Sequence, residues 1–170
     1  MTTVVPHPVV PLAHSRVRRA CDQDAQALHA LSRPFADQGA LRERPLALYA
    51  ADAADFLVVA SDDGTLAGCL GLRDQAWEPG PPGGVLYNFC VASHSQGRGV
   101  GSALLRAALT EAAARSLRAV FTATSGGGEL FLRHGFSAVE HRFAPVEWVN
   151  ALDPRRGSRV LARTIPARRP

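Results

Sequence analysis

The chain has 170 residues, 46% of them hydrophobic and 20% charged, with 19 basic and 15 acidic residues giving a formal net charge of +4. A chain of this size closes one domain with a real core, is cramped for two, and is too apolar and too weakly charged to be disordered over most of its length. No apolar run approaches the roughly 18 residues of a membrane span, and the opening MTTVVP lacks the basic start of a secretory signal. Cys21, Cys69 and Cys90 are an odd and widely spaced set, which fits reduced cytoplasmic thiols better than a disulfide framework. Every basic residue is arginine; Arg155, Arg156, Arg159, Arg163, Arg168 and Arg169 face Asp153 alone in residues 151–170, so that segment carries +5 and residues 1–150 carry −1. A nucleic-acid interface spreads its charge over the folded domain with aromatics beside it. The concentration of charge in one terminal segment reads instead as a solvated tail, with a polyanion-binding tail as the alternative.

Residues 1–14, with Pro6, Pro8 and Pro11, read as an extended or disordered lead-in to a single domain over 15–165, and 166–170 as a basic tail. A short strand is expected at 16–20. Asp22 then caps a helix whose apolar positions Ala25, Leu28 and Leu31 recur at helical spacing up to Pro34. Gln38-Gly39 break the chain, and Pro45 opens a second helix through Leu46, Leu48 and Tyr49. Strands are expected at 56–60 and 66–72 around the turn Asp62-Asp63-Gly64. A loop rich in Pro and Gly over 78–84 leads to a strand at 85–91. Beyond the segment Gln96-Gly97-Arg98-Gly99-Val100-Gly101 lies the clearest helix, striped by Leu104, Leu105, Ala108, Leu109 and Ala112. A strand at 119–124, a loop at 125–128 and a short helix at 129–134 closed by Gly135 follow. Strands at 136–140 and 158–163 end the order, with a short helix near Trp148. The hairpins early and the strand–helix–strand crossover late predict an α/β domain with a mixed sheet.

The segment 96–101 stands where a glycine-rich loop does chemistry, after a strand and at the start of a helix. Glycines there let backbone N–H groups approach an anion, to which the helix N-terminus adds about half a positive charge. Pyrophosphate is the natural guest. A Walker A loop would need a lysine, which the chain lacks, and a dinucleotide fingerprint would follow the first strand of a βαβ unit.

The same six residues resemble the Q/R-x-x-G-x-G/A loop of the GCN5-related N-acetyltransferases. The flanks resemble that family too: Phe89-Cys90-Val91 before the loop, the long apolar helix after it, and Phe131-Leu132-Arg133-His134-Gly135-Phe136 further on. The resemblance covers roughly residues 16–141. It implies a mostly antiparallel central sheet flanked by helices, and acyl transfer from acetyl-CoA to an amine, with no metal. It implies CoA contacts at Cys90, Val91 and Ala92 and along Gln96, Gly97, Arg98, Gly99, Val100, Gly101 and Ser102. Backbone groups of the loop would take the pyrophosphate. The pantetheine arm would lie like an extra strand between splayed strands 85–91 and 119–124, with Val91 and Ala92 polarising the thioester.

At the two ends the chain resembles, more narrowly, the acetyltransferase domain of N-acetylglutamate synthases. Gln38-Gly39-Ala40-Leu41 followed by Arg44 looks like that family's Q-G-x-L-x-x-R stretch, and Arg156-Gly157-Ser158-Arg159-Val160-Leu161 like its closing R-x-S-K-V-L strand. The resemblance implies L-glutamate as acceptor, a place in arginine biosynthesis, and substrate contacts at Gln38, Arg44, Arg156 and Ser158. Guanidinium groups, which stay charged and bind carboxylates in bidentate pairs, suit that task. Arg42 could replace Arg44 after a small register shift. Departures point to other acceptors: Gly84-Val85 stands where the family has Gly-Glu, and the Thr-Thr-Arg stretch survives only as Thr124-Ser125-Gly126. The alternatives are therefore an acyltransferase for another amino acid or a natural-product amine, and a CoA-binding relative without catalysis. A homodimer stays open, and no membrane partner is expected.

The acid and base are less legible. Phe131 stands where many relatives carry the tyrosine that protonates the leaving thiolate. Under a period-two reading Asn88 and Cys90 share one face of their strand, with Tyr87 and Phe89 on the other. Asn88 is the candidate to position a water-borne base and Ser125 the candidate proton donor, with structural hydrogen bonding as the alternative for each. Cys90 has no neighbouring His and reads as an inert buried thiol. The six His residues show no metal-ligand spacing. His94 could touch a phosphate or be an exposed loop residue, and Trp77 with the loop after it could cover the acceptor pocket or be a surface insertion.

Overall fold

The computed structural model describes residues 16–126 and 128–167; the expected lead-in 1–14, Gly127 and the last three residues of the basic tail lie outside the described residues. Twelve regular elements follow in chain order: β1 (Val17–Arg19), α1 (Ala25–Asp37), α2 (Leu46–Ala51), β2 (Phe56–Ala60), β3 (Leu66–Gln75), β4 (Gly83–Val91), α3 (Val100–Ala114), β5 (Ala119–Thr124), α4 (Glu129–Arg133), β6 (Ser137–Ala138), α5 (Val146–Asn150) and β7 (Arg159–Thr164). The strands form one seven-stranded sheet in the order β1-β2-β3-β4-β5-β7-β6. All neighbours are antiparallel except β4 and β5, which run parallel. The expected mixed, mostly antiparallel sheet is thus present. The insertion of β7 between β5 and β6 is an addition to the reading from sequence.

Alternation along the strands sorts the core to two faces. On β2, Leu57 and Val59 pack with Val100, Leu104 and Leu105 of α3 and with Phe131 of α4. Phe56 and Val58 point the other way, to Leu28 of α1 and Tyr49 of α2. Further along that second face, Val85, Phe121 and Val160 meet Trp148 and Val149 of α5. Burying apolar side chains on both faces supplies the main driving force at about 25 cal/mol per Å² removed from water.

Boundaries differ from expectation where packing overrides local signals. α1 passes Pro34 and ends at Asp37. A proline in the last turn removes a single helical hydrogen bond, and Phe35 beyond it is held against the core of α1 and α2. β3 runs on to Gln75 because Leu72–Gln75 pair in register with Leu86–Gly83 of β4, whereas β6 shrinks to two residues. Among the described residues no helix is long and apolar enough to cross a membrane.

Candidate functional site

The parallel strands β4 and β5 pair only at Gly84↔Val120 and Val85↔Phe121, although β4 continues to Val91 and β5 to Thr124. They therefore diverge, and an irregularity in β4 sharpens the opening. Tyr87 opposes Gly71 and Cys90 opposes Cys69, so Asn88 and Phe89 together face Leu70 alone, a β-bulge with one extra residue. Asn88 adopts φ of +50°, in the left-handed region that Asn enters more readily than most residues.

A bulge interrupts period two, and this corrects the expected faces. Asn88 and Cys90 do share a side, but Tyr87 lies on it as well, packed against Phe56, while Phe89 alone turns to Phe131. The Asn88 amide is committed to the fold: Oδ1 accepts from the Tyr49 hydroxyl at 3.0 Å, and Nδ2 donates to Ser32 Oγ at 2.8 Å.

Below the opening, Gln96 Nε2 ties the glycine loop to the carbonyl of Val91 at 3.1 Å. Gly97 at φ +73° and Gly99 at φ +84° hold left-handed backbone that a side chain would strain, and a Cβ at either would meet nothing within 4 Å. The loop is thus bent but unobstructed, and Gly99 is the N-cap of the fifteen-residue α3. Gly101 has a different reason: a Cβ there would lie 3.1 Å from Leu130, so α3 packs closely against α4. Ser102 Oγ lies 3.2 Å from His134 Nε2. Burial, followed by the neighbouring Arg106, Arg163 and Arg133, lowers the His134 pKa. His94 is exposed on the turn before the loop, and Arg98 is exposed within it.

Between β4, β5, the α1–α2 loop and α5 lies a cavity of about 480 Å³. Its wall includes Asn88, Arg44, Arg156 and Ser158 from the sequence-derived set, together with Arg42. Gln38 is exposed at the end of α1 and Ser125 is exposed beyond β5; neither is among the lining residues. Trp77 is not at the cavity either. Its ring packs on Phe121 at 4.9 Å, and the Arg118 guanidinium stacks over it at 3.6 Å. Phe131 is buried between Phe89 and Phe136, an apolar post between α4 and the sheet.

Arg73 and Tyr87 are among the lining residues that the sequence reading did not place at the site. The guanidinium groups of Arg44 and Arg73 each sit 4.9 Å from the centre of the Tyr87 ring. Asp52 Oδ2 accepts from Arg44 at 2.8 Å and pairs with Arg73 at 2.7 Å. Tyr87 donates its hydroxyl hydrogen to Asp55 Oδ2 at 2.8 Å and accepts from Arg73 at 3.2 Å. Burial and the Asp55 carboxylate push the phenol pKa well up, so it stays neutral. Gly71 makes room for the ring, since a Cβ there would lie 2.7 Å from it. Arg73 was within reach of a period-two reading, being two and four residues beyond Gly71 and Cys69 on one face of β3. Tyr87 was hidden by the bulge.

Arg42 and Arg156 line the cavity and also brace its rim. Arg156 Nη2 donates to the carbonyls of Gly39 at 3.2 Å and Ala40 at 2.6 Å, and Arg42 Nη2 to that of Ala151 at 3.0 Å. Each arginine reaches from one side of the opening to the backbone of the other, so the two loops are held together by chain segments more than a hundred residues apart.

With this geometry the comparisons agree. The chain belongs to the acetyltransferase (GNAT) family, whose model matches residues 23–136. N-acetylglutamate synthase from Neisseria gonorrhoeae, solved with coenzyme A and N-acetyl-glutamate, superposes with a TM-score of 0.79 at 25% identity over 89% of this chain and 35% of that one. This chain thus spans about a third of that protein. Rv2747 from Mycobacterium tuberculosis, solved in complex with CoA, gives 0.71 at 23% identity over 89% of this chain and 99% of that one. A GNAT-family acetyltransferase from Staphylococcus aureus Mu50 gives 0.73 at 12% identity over the same shares, 89% and 99%. The last two establish the shared fold. No curated protein sequence matches this chain.

Proposed function

We propose that the chain moves an acetyl group from acetyl-CoA to the α-amine of an acidic amino acid, with L-glutamate as the leading acceptor. The observation that carries this reading is the gathering of Arg44, Arg156 and Ser158, from opposite ends of the sequence, at one cavity beside the opened β4–β5 edge. The Neisseria enzyme solved with CoA and N-acetyl-glutamate supports it.

On this reading the loop 96–101 and the first turn of α3 hold the CoA pyrophosphate through backbone N–H groups, which the left-handed Gly97 and Gly99 turn outward. The strand β4, free of β5 beyond Val85, receives the pantetheine arm along Cys90, Val91 and Ala92. The neutral amine attacks the thioester carbonyl, forming the N–C bond. The attacking nitrogen passes its surplus proton to water, the C–S bond breaks, and the CoA thiolate takes up a proton, so the proton count closes. Backbone N–H groups beside the bulge stabilise the oxyanion, and the ordered cavity supplies orientation. Asn88 acts by fixing that backbone, because its amide is already bonded to Tyr49 and Ser32. Ser125 is the proton-donor candidate that the Phe131 position does not supply. Gln38 is exposed at the end of α1, off the cavity wall, and takes no part in this scheme.

One observation favours a second acceptor class. Arg44 and Arg73 are both already paired with carboxylates, and exposed Glu147 lines the same cavity, so an amine bearing a further cationic group fits as well. The test is CoA release from acetyl-CoA with L-glutamate beside a panel of other amino acids and amines. Arg156→Ala raises the KM for glutamate and leaves that for acetyl-CoA nearly unchanged. An unchanged glutamate KM removes Arg156 from acceptor binding. CoA binding without release on any amine would leave a non-catalytic relative.

A further inference from the structure

Cys69 on β3 and Cys90 on β4 are direct cross-strand partners, and their sulfurs lie 3.6 Å apart. Partners in an antiparallel ladder have Cα atoms about 4.5–5.5 Å apart, inside the span that disulfides bridge. Closing the remaining gap to bonding distance takes rotation of the two side chains and a small approach of the paired strands.

The pair is embedded in polar groups. Cys69 Sγ donates to the carbonyl of Asn88 at 3.4 Å, Asn88 Nδ2 approaches Cys69 Sγ at 3.6 Å, and Ser32 Oγ lies 3.9 Å from Cys90 Sγ. Ser32 and Tyr49 in turn line a second cavity of about 220 Å³, bounded also by His29 and Arg33. An oxidant little larger than water fits that space and meets Ser32 one hydrogen bond from Cys90. We propose that Cys69 and Cys90 form a reversible oxidation site for a small peroxide, closing a disulfide across the bulge.

The chemistry balances in two steps. The Cys90 thiol releases its proton, the thiolate attacks one oxygen of hydrogen peroxide, the O–O bond breaks to give sulfenic acid and hydroxide, and the hydroxide takes up the released proton to become water. The Cys69 thiol then attacks the Cys90 sulfur, releasing a second water as the S–S bond forms. The two thiols lose two electrons, which reduce the peroxide. Cys90 is the attacking sulfur: it is the one in contact with Ser32 beside the second cavity, and its contacts with Cys69 and Ser32 lower its pKa against the effect of burial, while that of Cys69 is raised. Once oxidised, Cys69 has no hydrogen to donate to the Asn88 carbonyl, so the bulge loses a tether.

The test uses the full chain carrying Cys21→Ser, which removes the exposed third thiol. The native protein is treated with hydrogen peroxide, then unfolded and alkylated. The expected result is loss of both alkylatable thiols, one intramolecular disulfide joining the Cys69 and Cys90 peptides, and recovery of both thiols with dithiothreitol. Cys69→Ala in the same background gives a dimedone-trapped sulfenic acid at Cys90. The proposal is overturned if both thiols survive peroxide that oxidises Cys21 of the parent chain, if Cys90 passes to sulfinic acid while Cys69 stays free, or if the disulfide joins two chains. The consequence for transfer rests on the proposed function and is read separately, as loss of CoA release on oxidation and its return on reduction. A chain that releases CoA on no amine refutes that function while the thiol count still decides the site. Unchanged release after the disulfide forms refutes the coupling.

Discussion

Replacing Asn88 with Ala strikes the bulge at its one anchored side chain. Two hydrogen bonds disappear, and the hydroxyls of Tyr49 and Ser32, each on a residue only 2% exposed, are left without their amide partner. An unsatisfied buried polar group costs about 1–3 kcal/mol. Holding Ala at the φ of +50° that Asn88 adopts adds about 1–2 kcal/mol, a strain Asn bears more easily. The expected loss is about 3–8 kcal/mol, a large part of the roughly 5–15 kcal/mol that holds a domain folded. Tyr49→Phe, which removes only the donor to Asn88 Oδ1, should cost about 1–2 kcal/mol. Urea unfolding followed by far-ultraviolet circular dichroism measures both, and CoA release per folded molecule is measured beside it. If Asn88→Ala unfolds within about 1 kcal/mol of the parent while turnover disappears, Asn88 takes part in the chemistry and the structural account is wrong.

Gly71→Ala places a methyl group 2.7 Å from a Tyr87 ring already fixed by two guanidiniums and Asp55; it should cost about 1–3 kcal/mol and raise the KM for the acceptor, and a parental KM would detach Tyr87 from the cavity. Gly99→Ala forces a side chain to φ of +84° where space is open, so folding should survive while calorimetry shows CoA binding about tenfold weaker, the equivalent of about 1.4 kcal/mol. His134 has a folded pKa below its unfolded value, so the unfolded chain takes the proton first and stability falls as pH drops through about 6.5. His134→Gln should flatten the fall in urea midpoint between about pH 7 and 5, and an equal slope in the variant would assign the acid sensitivity elsewhere.

The elements most legible in the sequence are those whose pattern and packing agree. The stripe Leu104, Leu105, Ala108 of α3 and the left-handed glycines before it lie where spacing puts them, because helix period and glycine turn are both local properties. Arg44, Arg156 and Ser158, three of the four residues that the narrower resemblance singles out, line one cavity, and Gln38 does not. What escaped depends on partners distant in sequence. Asn88 bends because Tyr49 and Ser32 hold its amide, and that bend turned Tyr87 to a face that strict alternation denies it. Trp77 lies off the cavity because Arg118 and Phe121 hold its ring. No window of sequence contains those pairings.

The position of β7 has a consequence during synthesis. β5 lies beside β7 along its whole length, from Ala119↔Thr164 to Thr124↔Arg159, yet β7 emerges from the ribosome only after α4, β6 and α5. The forty residues between the end of β5 and the end of β7 take about 2–8 s to add at ordinary elongation rates. For that interval the rim of β5 is an open ladder able to recruit another strand. Slowing translation across residues 125–164 would lengthen the exposure, so the codons of this stretch bear on the yield of native protein even where the amino acids they encode never touch the ligand.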